Sequence, residues 1–150
     1  MLKTESNNFY NVLFNTNKLI NTRIVPEKNI SEELLTIRTL VLITPPINEM
    51  EEYVQLEKML NACKLTKEDY KVELQTEDWN YYRTFENIKE ILLFGITEKE
   101  LNIGVQLIGN HINKFDNRIF IKSLSIAQLA NSQQDKNSLW QNALKPHFVG

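Results

Sequence analysis

Glu90-Ile91-Leu92-Leu93-Phe94-Gly95 and Arg118-Ile119-Phe120-Ile121-Lys122 decide the fold. Ile91 to Phe94 is apolar without alternation, so both of its faces must be covered, as in a central strand of a parallel sheet. Gly95 ends the run. The segment Leu40-Val41-Leu42-Ile43, stopped by Thr44-Pro45-Pro46, has the same character. Both runs are too short for helices and are bounded by turn residues, which makes them strands.

Helical patterns lie between these strands. Asn48-Glu49-Met50-Glu51 reads as a helix start, with an Asn cap and an acid three residues on. The spacing predicts a helix to about Cys63, with Met50, Tyr53, Val54, Leu56, Met59, Leu60 and Cys63 as its buried stripe. Tyr70-Lys71-Val72-Glu73-Leu74 alternates and predicts a strand nearer the sheet edge. Asp78 to Tyr82 reads as an aromatic loop, and Thr84 as the cap of a short helix holding Phe85 and Ile88. Thr97-Glu98-Lys99-Glu100 is a capping box. Val105 to Ile112 fits a strand or a short helix equally. Ser123 to Asn131 reads as a polar turn segment. A last helix starts at Ser132, carries Leu139 and Trp140, and ends before Pro146, where the ring would interrupt it. The alternation predicts an α/β domain: a single three-layer unit, residues 29–150, with a mostly parallel sheet of four to five strands flanked by helices.

Residues 1–28 differ. They are rich in Asn, yet Phe9, Val12, Leu13, Thr16 and Ile20 share one helical face, and Tyr10 and Phe14 form an i,i+4 pair beside it. The segment is either a helix packed on its own domain or an N-terminal arm whose aromatic residues find another protein.

The 150 residues are 42% hydrophobic and 24% charged, enough for one domain with a sizeable core. A net charge of -2 argues against a surface that coats nucleic acid. Cys63 is the only cysteine, which suits a reducing compartment, and it reads as a buried thiol. No signal peptide or membrane span is read in the sequence, so the expectation is a cytoplasmic protein away from membranes.

Signs of chemistry are sparse. Four glycines are too few and too scattered for a phosphate cradle, and Gly104 and Gly109 lack a following Lys-Ser/Thr. His111 and His147 have no metal-ligand spacing, and His147 reads as a solvated side chain. Ser123 and Ser125 read as turn and capping hydroxyls. Neither catalytic residue, metal nor cofactor is expected. The aromatic side chains carry more weight: Trp79, Tyr81 and Tyr82 crowd one segment, and Trp140 adjoins Leu139. Trp and Tyr favour protein interfaces, although core packing explains them as well.

Three stretches carry a resemblance. They are Thr39 to Ile43 followed by prolines; Leu65-Thr66 through Asp69-Tyr70-Lys71-Val72-Glu73-Leu74-Gln75-Thr76-Glu77; and Ser123-Leu124-Ser125-Ile126-Ala127-Gln128-Leu129 with the helix to Leu139-Trp140-Gln141. In this layout, over residues 39–144, the chain resembles the psi subunit of bacterial DNA polymerase III, a clamp-loader accessory protein. The resemblance implies a non-catalytic adaptor of the DNA replication machinery. It would link clamp-loader subunits to a chi-like subunit, which contacts single-stranded-DNA-binding protein, with no specific nucleic-acid contact of its own. The arm residues Phe9, Tyr10, Leu13 and Phe14 would meet the clamp loader, though the arm lacks the tryptophan seen in that family. Together with Trp79, Tyr82 and Trp140 they are the expected partner-binding residues. The layout is also similar to uracil-DNA glycosylases, without their catalytic motifs. The alternative is therefore a small nucleotide- or base-binding enzyme using the strand ends at Thr44, Gly95 and Ser123.

Overall fold

Thr39–Ile43 (β1) and Glu90–Phe94 (β3) are buried along their whole length, as their continuous apolar character requires. The computed structural model describes residues 33–150, and residues 34–150 form one unit. The expected arm, with Phe9, Tyr10, Leu13 and Phe14, lies outside the described residues. The remaining elements are α1 (Glu49–Ala62), β2 (Tyr70–Leu74), α2 (Trp79–Tyr82), β4 (Ile112–Phe115), β5 (Arg118–Ser123), α3 (Ile126–Ala130), α4 (Gln133–Leu139) and a π-helical segment, Trp140–Val149.

The five strands lie in the order β2-β1-β3-β5-β4. All pairs are parallel except β4 with β5. The register aligns Val41 with Leu92 and Leu92 with Ile121. Because side chains alternate along a strand, one face carries Val41, Ile43, Leu92, Phe94 and Ile121. It packs against Leu56 and Leu60 of α1, Leu129 of α3, and Leu139 and Leu144. The other face carries Leu40, Leu42, Ile91, Leu93 and Phe120. Its cover is α2 and irregular chain bearing Phe85, Ile88, Leu101 and Leu107. Helices thus cover one face, and mostly turns and loops the other.

Several local expectations are corrected. Asp78–Tyr82 is not a loop: Asp78 caps the short helix α2 by accepting from the Tyr81 amide. The stretch after Thr84 is turns, held by backbone bonds from Phe85 to Tyr82 and from Ile88 to Phe85. Most of residues 105–111 is irregular, and β4 begins only at Ile112. Asn113 explains this in part, since its side chain bonds both the amide and the carbonyl of Ile108. The β4–β5 hairpin turns on Asp116 and Asn117, with φ of 55° and 61°. Positive φ at both central residues is the tight turn that suits a twisted hairpin, and Asp and Asn tolerate it. Ser123–Asn131 contains α3, started by a capping box between Ser125 and Gln128. The final winding does not stop before Pro146. It widens at Trp140 and passes through Pro146, where the wider turn relieves the ring's clash with the preceding turn. At the start of α1 the acid that reaches back is Glu52, whose Oε2 accepts from the amides of Ile47 at 2.8 Å and Asn48 at 2.9 Å.

Cys63 closes α1 and is buried, which pushes its thiol up to about 12; the Glu90 carboxylate adds to the shift. Since the thiolate is the reactive species, Cys63 is expected to ignore Ellman's reagent at pH 8 in the native chain and to react fully in denaturant. Fast native labelling would show that the α1 end opens.

Candidate functional site

Helix α1 turns a large part of its apolar surface to solvent. Only Leu56 and Leu60 within it are buried. Met50 is 78% exposed, Val54 47% and Tyr53 37%, and Ile47 just before the helix is 88% exposed. The expected buried stripe is therefore corrected at Met50, Tyr53 and Val54. At 3.6 residues per turn, Val54 is rotated about 160° from Leu56. Both cannot face the sheet, and the sheet takes Leu56, Leu60 and Cys63.

Beside this surface lies a groove of about 320 Å³ between α1 and the C-terminal winding. Met59, Leu139, Trp140 and Leu144 form its apolar lining, and Gln55, Lys58, Lys136 and Asn137 its polar one. A second depression, about 570 Å³, is lined by Met50, Glu51, Val54, Gln55, Lys58 and Lys136. The two share Gln55, Lys58 and Lys136, so they form one trough running from Met50 to Trp140. Trp140 is half-buried and lines it.

Trp79 and Tyr82 are not surface residues, which corrects their expected role as partner contacts. Trp79 is 5% exposed and packs edge-on to Phe120 with centroids 4.9 Å apart. Its Nε1 donates to Asp116 Oδ2 at 2.9 Å, and the Arg118 guanidinium lies 5.0 Å over the ring. Hydrogen bonds from Arg83 and Trp79 hold the Asp116 carboxyl below its usual value. Tyr82 is 1% exposed, within the same cluster.

Thr44, Gly95 and Ser123 do meet at the carboxyl ends of β1, β3 and β5, where the strand order reverses and α/β proteins place ligands. Here the space is filled. Gly95 has φ of +78°, and a Cβ on it would stand 3.0 Å from Ser125 Cβ and 3.1 Å from Thr44 Cγ2. Ser123 Oγ donates to Asn110 Oδ1 at 2.6 Å, and Ser125 caps α3.

The opposite, amino end of the sheet holds a cleft of about 640 Å³ lined by residues including Arg38, Lys89, Glu90, Lys114, Arg118 and His147. Its buried member is Glu90. Thr39 Oγ1 donates to its Oε1 at 2.6 Å, and Arg38 Nη2 donates to its Oε2 at 2.8 Å. His147 Nε2 sits 2.8 Å from the same Oε2. The expectation of a solvated His147 is corrected: the π-helical winding carries the ring back over the sheet. Sequence reasoning missed this cluster, because the partners of Glu90 lie 51 to 57 residues from it. The one local signal is a glutamate opening an otherwise apolar strand. Arg118, the cleft's other guanidinium, is committed to the carbonyls of Ile88 at 2.9 Å, Arg83 at 2.9 Å and Phe85 at 3.2 Å.

Among the described residues no group of three or more His, Cys, Asp and Glu could hold a metal, and no helix is long and apolar enough to cross a membrane. No family model, no curated protein and no solved structure matches the chain.

Proposed function

We propose that this chain is a non-catalytic protein-interaction subunit whose docking face is the trough along α1. The observation that carries the reading is Met50 and Val54 standing exposed in the depression that adjoins the groove at Met59 and Trp140. Grouped exposed apolar side chains around an aromatic residue are the usual make-up of a binding surface. Of the serines at the strand ends, Ser123 bonds to Asn110 and Ser125 caps α3, as turn and capping hydroxyls do.

The layout shared with psi subunits supplies the partner class. We infer an adaptor in the replication machinery, joining clamp-loader subunits to a chi-like subunit or to single-stranded-DNA-binding protein. The test is affinity purification of the tagged full chain from its native cells. Clamp-loader or chi-like subunits are expected with the wild type and are expected to be lost with Met50→Asp/Val54→Asp. Both positions are exposed, so the variant should lie within about 1 kcal/mol of wild type in unfolding free energy. Wild-type chain that brings down no replication subunit overturns the replication reading. Subunits retained by the variant place the contact elsewhere, and Phe9→Ala/Phe14→Ala then asks whether the arm makes it.

A further inference from the structure

The groove beside Trp140 has a one-sided chemistry. Its floor is apolar, and its charged groups, Lys58 and Lys136, are both cations; among the described residues no carboxylate lines it. Neither lysine has an ion-pair partner among the described residues. Gln55 beside them has its Nε2 enclosed, with no hydrogen-bond partner among the described residues. The ammonium of half-buried Lys136 favours a carboxylate arriving from outside. The volume, about 320 Å³, is at the small end of ligand-sized pockets, which run from about 300 to 1,000 Å³. It suits one or two large side chains rather than the face of a whole helix.

We propose that this groove receives an acidic-apolar segment of the partner protein. One or two large apolar side chains enter between Met59 and Trp140, and carboxylates of the same segment meet Lys58 and Lys136. The direction of the segment follows from charge. Lys58 and Lys136 line both depressions and Glu51 lines only the Met50 one, so the carboxylates sit at the junction, away from Glu51, and the uncharged part continues over Val54. Basic segments are rejected by the same two lysines. The inference rests on the docking reading above and names the chemistry of the occupant.

The experiment is selection of a random nonapeptide display library on the full chain. The winning peptides are then synthesised and titrated by fluorescence anisotropy. Enriched sequences are expected to carry Phe, Leu, Ile or Trp flanked by Asp or Glu. Their affinity should fall at least about 10-fold in Lys58→Glu/Lys136→Glu and fall as salt rises, as for exposed charge pairs. The amide of Gln55 and the indole of Trp140 should shift in NMR spectra on binding. Lys58→Gln/Lys136→Gln serves if the reversal variant does not fold. Enrichment without an acidic bias, binding that survives both variants, or no enriched sequence overturns the proposal. The two readings fail separately. Peptide binding without co-purifying replication subunits sinks only the replication partner, whereas replication subunits held by wild type without any acidic selection sink only the proposed occupant.

Discussion

Trp79→Ala is expected to destabilise the domain by about 3–5 kcal/mol, the cost of truncating a large buried aromatic residue. For a chain of 150 residues that lowers the melting temperature by about 6–20 °C. Three contacts are lost together: the edge-on packing on Phe120 at 4.9 Å, the cation–π contact with Arg118 at 5.0 Å, and the bond to Asp116 at 2.9 Å. The irregular cover of that sheet face has few alternatives with which to fill the hole. Trp79→Phe separates the parts. It keeps most of the packing, while Asp116 keeps Arg83 at 2.9 Å, so the loss should be well under half that of alanine. Urea denaturation of the three chains measures this. An alanine variant within about 0.5 kcal/mol of wild type would return Trp79 to the surface.

That prediction also marks where the sequence was legible. Ile91 to Phe94 could only be a strand buried on both faces, and it is. The alternating Tyr70 to Leu74 could only be half-covered, and it is an edge strand. Pattern tells less about helices, because periodicity finds apolar positions without saying which neighbour buries them. In α1 the apolar positions wrap most of the way around, and the sheet takes only the Leu56-Leu60-Cys63 line. The same excess of apolar surface that made the expected stripe too wide is what makes α1 a candidate interface. Aromatic crowding failed in the other direction: Trp79 and Tyr82 looked like an interface because their covering segment has no regular pattern, yet they fill the core. The β4–β5 hairpin was readable in principle, since Asp116-Asn117 is a turn signal between two apolar-bearing runs. The Glu90 cluster was not, because its bonds join the start of β1, the start of β3 and the last turn of the chain.

That cluster sets the second large effect. Arg38→Ala/His147→Ala leaves the Glu90 carboxylate, with its side chain 2% exposed, with the Thr39 hydroxyl as its one remaining side-chain hydrogen bond among the described residues. Stranding a buried charge costs about 3–5 kcal/mol. The lower end, about 3 kcal/mol, is expected here, because the cleft at this end of the sheet admits water that can partly solvate the charge. Each single variant should cost much less than half of this, since the remaining partner, Arg38 or the His147 ring, still faces Oε2. The double loss should therefore exceed the sum of the singles, the behaviour of groups sharing one partner. Glu90→Gln added to the double variant gives the sharper test. It keeps the shape and an acceptor for Thr39 while removing the stranded charge, so it should recover a large part of the lost stability. A triple variant no more stable than the double would show that Arg38 and His147 act by packing the C-terminal winding onto the sheet, and that compensation of the buried carboxylate is not what holds this end of the domain.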